Sequence, residues 1–353
     1  MILKSNKGVA ILVTLSFMAL AVTATLELHR RARAAVSSTA LARDRLLLEQ
    51  MAETGIQAGL ALLLKDKTLN DIDTLGDIWA DPEIIAEMLG ELKFDNGTLA
   101  VAVTDEMSRI QINALVQFPE GSEFNEAQRE LWDRFLLQWI ETNEIQDVEI
   151  QTLINSIKDW LDSGDDNAIT GLSGAESEYY EDLDPPYVPA NGPVRHGSEI
   201  GRIKGFTPDL VNGFEEVEGL KAYLTVFGVQ PGEGTSASWN GRININTAGR
   251  PVISALLPVE SRDLAESILQ YRQELEETEA LDVLSTPKWY QNAAGAADVE
   301  IDPNLIALTS DVFRIESKAS LNDSSFTVIA IVQRQAAQNS GQWAGKALRW
   351  QTK

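Results

Sequence analysis

Apolar residues follow three patterns along this chain, and each predicts a different element. The first pattern is an unbroken run. From Val9 to Leu28 only Thr and Ser interrupt the apolar side chains until Glu27. About 20 such residues suffice for a helix to cross a hydrocarbon layer of about 30 Å. The second is periodic, with Leu41, Arg45, Leu48 and Ala52, then Ile56, Leu60, Leu63 and Leu64, at helical spacing. No Pro precedes Pro82 and no Gly falls between Gly8 and Gly55. Good helix formers fill the interval. One helix over 9–64 is therefore predicted, roughly 80 Å long at 1.5 Å per residue. Its first half suits lipid, and its second half would pack on a head.

The third pattern alternates, and it appears at both ends of the remaining chain. After a mixed stretch with a helix start at Asp81-Pro82, Asp95-Asn96-Gly97 signals a hairpin turn. Residues 98–104 read as a strand, with 109–113 as its antiparallel partner. From Asn125 the period becomes helical. Leu131, Phe135, Trp139 and Ile140 share one face, and Ile154, Ile157, Trp160 and Leu161 another. A Gly/Pro-rich acidic stretch fills 164–197, a short helix opens at Thr207-Pro208, and 220–229 reads as a strand. Two further helices are expected through Val252, Leu256 and Leu257 and over 261–275. Alternation then returns at 312–317, 326–334 and 347–350. The order helix, strands, helical block, strands predicts an α+β domain interrupted by a mainly helical domain. Arg109-Ile110-Gln111-Ile112-Asn113 echoes Arg242-Ile243-Asn244-Ile245-Asn246, a recurrence short enough to arise by chance.

Charge and composition narrow the function. The 353 residues carry a formal charge of −24, which argues against a nucleic-acid partner. An acidic head suits divalent cations or basic protein surfaces instead, or the charge serves solubility alone. With no Cys, disulfides, thiolate catalysis and zinc–thiolate sites are excluded. His29 and His196 are isolated, and no nucleophile elbow or phosphate loop is present. Paired carboxylates leave no fixed spacing, so a membrane-anchored envelope hydrolase using two of them stays open as the alternative function.

The amino-terminal run allows three readings. A secretory signal cut near Ala32-Arg33-Ala34 has too long an apolar core. A plain anchor meets Arg30, Arg31 and Arg33 on one flank against Lys4 and Lys7 on the other, so charge alone does not set its topology. The third reading is a cut between Gly8 and Val9, after which the apolar run stays with the mature chain. Lys7-Gly8-Val9 resembles the leader of type IV prepilins and pseudopilins, which a prepilin peptidase cuts after Gly. Most of that family carry Glu at the fifth mature position. Here it is Val13, a departure the family shows in the minor pseudopilin K of type II secretion systems.

The densest acidic stretch is Asp159-Trp160-Leu161-Asp162-Ser163-Gly164-Asp165-Asp166-Asn167, followed by Gly174-Ala175-Glu176-Ser177-Glu178-Tyr179-Tyr180. Calcium takes six to eight hard oxygens, and such a loop can supply them, although a solvated loop has the same composition and no EF-hand register is present. These segments, with Pro186-Tyr187, Asn191-Gly192, Ile203-Lys204-Gly205-Phe206 and Ile245-Asn246-Thr247-Ala248, resemble the signature of the general secretion pathway protein K family. The last segment also resembles helix-hairpin-helix DNA-binding modules, but Leu257-Pro258-Val259-Glu260 replaces their Gly-rich hairpin.

The resemblance to protein K implies a pseudopilin fold: a long transmembrane helix packed on an antiparallel sheet, with a large SAM-like insertion. Its expected parts are a leader at 1–8, the long helix at 9–64 with 9–28 in the membrane, and pseudopilin segments at 65–115 and 301–353 around an insertion at 116–300. It implies structural calcium held by Asp162, Asp165, Asp166, Glu176 and Glu178, and processing at Gly8 and Val9 with methylation of the new amine. It implies a non-enzymatic role at the tip of the pseudopilus, anchored in the inner membrane with the head in the periplasm. The implied partners are minor pseudopilins I and J, H and the major pseudopilin beneath, the prepilin peptidase, and secreted substrates.

Overall fold

The computed structural model describes residues 7–92, 94, 97–118, 121–164, 168–231, 237–337 and 342–353. Helix α1, Lys7–Asp66, is continuous through both expected halves. Its first half is long and apolar enough to cross a membrane and is not covered by any other part of the chain. The hydroxyls in that half turn back on the helix. Thr14 donates to the Ile11 carbonyl at 3.0 Å, Ser16 to Leu12 at 2.8 Å and Thr25 to Ala21 at 2.7 Å. No polar side-chain hydrogen is thereby left to face lipid.

The second half of α1 lies on a four-stranded antiparallel sheet. Its strands are β1, Thr98–Asp105, β2, Val312–Leu321, β3, Ser324–Ala336, and β4, Trp343–Thr352, in that spatial order. Leu48, Ala52, Ile56 and Leu63 of α1 bury against Phe313, Ile315, Val328 and Ala330. Close approach is made possible by Gly55 and Gly59, one turn apart on α1. A Cβ at Gly59 would stand 2.8 Å from Ile315 Cγ2, and one at Gly55 would strike Ser317 and stand 2.8 Å from Val101 Cγ2. Helix α2, Pro82–Glu91, begins as the sequence predicts. The Asp81 carboxylate accepts from the amides of Glu83 at 2.7 Å and Ile84 at 3.3 Å, and Pro82 fills the first turn. Asp95 and Asn96 of the expected hairpin turn lie outside the described residues.

Between β1 and β2 the chain builds a second apolar core. It runs from Ile110 to Ile306 and is separate from the core under α1. It holds α3, Glu126–Thr142, α4, Ile150–Leu161, α5, Ser177–Glu181, α6, Pro208–Asn212, α7, Arg250–Leu256, and α8, Ala265–Glu277. The mixed architecture is that of a long helix on an antiparallel sheet with a helical insertion.

Two strand expectations are corrected. Residues 109–113 are not the partner of β1. That partner is β2, in a register from Thr98 opposite Ser320 to Asp105 opposite Phe313. Ile110–Gln111 pairs instead, in parallel, with Leu224–Thr225. The strand expected over 220–229 shrinks to that pair, because Leu220–Ala222 turns as a short 3-10 helix.

The echoed segments have the same local structure. Ile243–Asn244 makes a parallel two-residue bridge to Ile306–Ala307, as Ile110–Gln111 does to its partner. Each segment then folds a side-chain oxygen onto the amide two residues on. Gln111 accepts from Asn113 N at 2.9 Å and Asn244 from Asn246 N at 3.1 Å. Each next leads into a pair of helices, α3 with α4 and α7 with α8. The two segments thus share one local arrangement.

Candidate functional site

The acidic loop begins at the end of α4, whose apolar face buries Ile154, Ile157, Trp160 and Leu161. That burial carries Asp159 inward on the same helix, to 1% exposure. Its carboxylate accepts from Thr170 N at 3.1 Å on both oxygens and from Ala175 N at 2.8 Å. Burial raises its pKa while those amides oppose the shift. Asp159 thus organises the loop from inside. Gly174 has no room for a Cβ, which would press on Asp159 and on the Thr170 backbone.

The predicted ligands border this loop. Asp162 caps α4, with Oδ1 accepting from Gly164 N at 2.9 Å and Oδ2 3.5 Å from Lys158 Nζ. Lys158 Nζ also reaches Thr170 Oγ1 at 3.0 Å. Glu176 is buried at the start of α5, while Glu178, in its first turn, is exposed. Asp165 and Asp166 lie outside the described residues. Lys204, from the Ile203-Lys204-Gly205-Phe206 segment, donates to the Gly174 carbonyl at 3.0 Å and lies 4.8 Å from the Tyr179 ring centre. Its amide donates to Tyr180 Oη at 3.2 Å. The donors offered by Asp162, Glu176 and Glu178 are all hard oxygens, with no imidazole or sulfur among them. Such oxygens are the donor type calcium takes, but among the described residues Asp162, Glu176 and Glu178 are not gathered as a set: the group of three carboxylates with one oxygen each within 4.8 Å of the others is Asp66, Asp73 and Asp77.

A second carboxylate group escaped sequence reasoning. Asp66 ends α1, and Asp73 and Asp77 follow in the next loop. All three are buried, with one oxygen from each within 4.8 Å of the others. Arg334 of β3, also fully buried, donates to Asp73 Oδ1 at 2.6 Å and to the carbonyls of Ser310 at 2.8 Å and Leu63 at 3.2 Å. Its guanidinium lies 3.8 Å from Asp66 Oδ2 and stacks over Phe313 at 4.9 Å. Asn70 bridges Asp66 at 3.2 Å and Asp77 at 3.1 Å, and Thr74 N donates to Asp77 at 2.7 Å. Burial, with Asp77 and Asp73 alongside, pushes the Asp66 pKa up to about 7. Burial therefore favours the protonated form of Asp66 in this joint.

Asp105, at the end of β1, adjoins this group. Its Oδ2 accepts from Ser310 Oγ at 2.5 Å, Thr247 Oγ1 at 2.6 Å and Asn244 Nδ2 at 3.0 Å. Asn244 also donates to the Asp73 carbonyl at 3.0 Å. Burial pushes the Asp105 pKa up to about 6 against those hydrogen bonds. The end of α1, the sheet and the inserted domain are locked together here, and the Ile245-Asn246-Thr247-Ala248 segment supplies Thr247 to the lock.

Residues 108–217 match the family model described as type II secretion system protein K. The matched span is similar to protein K of the type II secretion system. The type II secretion system protein K of Aeromonas hydrophila is 29% identical over 145 residues, a stretch covering 40% of this chain and 40% of that protein. The crystal structure of the GspK–GspI–GspJ complex from the enterotoxigenic Escherichia coli type 2 secretion system contains a chain of the same fold. It superposes with a TM-score of 0.61 at 17% identity, covering 89% of this chain and 99% of that one. The protein K match includes Asp159, Asp162, Glu176, Glu178 and Lys204, so the acidic loop falls within it.

Proposed function

We propose that the chain is a minor pseudopilin that assembles with I and J subunits at the tip of a type II secretion pseudopilus, to start and cap the fibre that exports folded proteins. The carrying observation is the union of one uncovered apolar helix with a sheet and a helical insertion, in a fold covering 99% of a chain solved with GspI and GspJ. α1 enters the inner membrane, the head stands in the periplasm, and H and the major pseudopilin follow beneath. Val13 leaves no carboxylate to neutralise a neighbour's amine in lipid, which suits a subunit at the end of a stack. A bulky insertion between two adjacent strands would obstruct helical stacking, and a terminal position avoids that obstruction.

Calcium held by Asp162, Glu176 and Glu178, with loop carbonyls, stiffens the insertion in this reading. Its role is structural. The hydrolase alternative needs a carboxylate of raised pKa on the floor of a cleft. Asp66, Asp77, Asp105 and Asp159 have raised values but are buried; Glu276 and Asp311 are also raised, Glu276 half-buried beside Arg272 and Asp311 exposed near Arg334.

The test is co-purification of the full chain with I and J pseudopilins from detergent-solubilised membranes, with intact mass read on the same sample. A stable ternary complex and a chain beginning at methylated Val9 are expected. No association, with a chain beginning at Met1, refutes the assignment.

A further inference from the structure

Helix α1 covers one face of the sheet, and the opposite face is half open. On that face the register sets Arg314 of β2, Ile331 of β3 and Arg349 of β4 side by side in one row across the strands. Residues 221–227 of the insertion overhang this row. Two clefts of about 440 and 550 Å³ lie under the overhang and share Lys221 and Arg314, so they form one groove.

The charge of the groove is opposite to that of the chain. Glu106 is the carboxylate lining the deeper cleft, and it is only 1% exposed. Arg314 holds Glu106 at 2.6 and 2.7 Å, Thr225 Oγ1 donates to it at 2.8 Å, and Arg109 stands at 3.3 Å. Its charge is therefore spent internally. Lys221 and Arg349 have no carboxylate within 4.0 Å among the described residues, although the whole chain carries −24. Acidic Glu316 and Glu218 appear only in the outer cleft, beyond Arg314. Between the cations Ile329 and Ile331 are themselves buried, with Phe227 packed against the cluster that includes Ile331.

We propose that this groove binds an extended acidic segment of a partner protein, laid across the strands with carboxylates at Lys221 and Arg349. Arg314 and Arg349 stand two strands apart, about 10 Å. Arg314 is already paired with Glu106, which leaves Lys221 and Arg349 free to take a partner's carboxylates. The sheet meets α1 at Gly55 and Gly59, about 40 Å along the helix from the apolar run at 1.5 Å per residue, so lipid headgroups are out of reach. A long polyanion would be repelled by the rest of the surface. This binding goes beyond the tip assignment and does not rest on it.

The test uses the full chain in neutral detergent and a fluorescein-labelled decapeptide alternating Glu and Val, read by anisotropy. Saturable binding is expected, weakening about fivefold or more between 50 and 300 mM salt. Lys221→Glu with Arg349→Glu should lower affinity about tenfold or more, while Lys65→Glu, on α1 across the sheet, should change it less than about twofold. Circular dichroism checks that the double variant is folded, and Arg349→Gln alone provides a milder second reading. The proposal is overturned if the peptide does not saturate, if folded double and single variants bind like the parent, or if a Lys–Val peptide binds as tightly.

Discussion

Replacing Asp66 by Asn removes one ionisable group from the joint at the end of α1 and should change how stability depends on pH. In the folded chain Asp66 holds its proton up to about pH 7, against an ordinary value of 3.8. The sign follows from proton counting. Between those values the folded state binds the proton and the unfolded state releases it, so stability falls as pH rises through the window. With one unit worth about 1.4 kcal/mol, the contribution present at pH 5 and absent at pH 8.5 is about 2–3 kcal/mol. Asp105, pushed up to about 6, and Asp77, also raised, add losses of the same sign. The difference between parent and Asp66→Asn reports Asp66 together with its coupling to Asp77 and Asp73. Asn keeps an acceptor for Asn70, and Arg334 keeps its closer partner Asp73, so the fold should survive. Denaturant melts of the full chain in detergent at pH 5 and 8.5 measure it. The parent should lose more stability than the variant over that interval, by about 2–3 kcal/mol. Parallel pH profiles, or a parent that gains stability towards pH 8.5, would refute the reasoning.

Other outcomes follow from the same packing. Arg334→Met leaves Asp66 and Asp73 buried without their cation and should cost about 3–5 kcal/mol by denaturant melt; a change below about 1 kcal/mol would show the joint to be idle. Gly59→Val drives a side chain into Ile315 and should cost about 1–3 kcal/mol. Its melting temperature should fall while a substitution at Gly90, where a Cβ meets nothing within 4 Å, leaves it unchanged. Added calcium after chelation should raise the melting temperature by stabilising the folded state, and Glu176→Gln should reduce that rise. An equal rise in parent and variant would remove Glu176 from the ligand set.

The elements most legible in the sequence are those with local signals. The uninterrupted apolar run and helical spacing predict α1 almost to its ends, and Asp81-Pro82 predicts the cap of α2. Alternation finds β1 and the three closing strands but not their pairing. A period of two is the same for any partner, and a nearby segment at 109–113 looked more suitable than one beginning at Val312. The acidic loop was visible as composition, whereas the role of Asp159 as its inner brace depends on amides 11 and 16 residues away. The joint was not legible, because Asp73 and Arg334 are 261 residues apart and nothing local marks either as buried. A lone Arg among the apolar residues of β3 was the available signal. The cations of the groove were equally hidden, since each is an ordinary surface residue until the register aligns them.

Because β1 and β2 are antiparallel neighbours, the whole insertion is topologically the turn of a hairpin. Asp105 closes it at one end and Ser310 at the other, joined by a 2.5 Å hydrogen bond. An unstructured turn of about 200 residues would cost about 3–4 kcal/mol more in closure entropy than one of four. Here the insertion folds on its own core and delivers its two ends side by side, so the sheet avoids that cost. The strands can then tolerate changes in the insertion that keep its two ends and the Asn244 and Thr247 bonds to Asp105 in place, while the register beneath stays fixed.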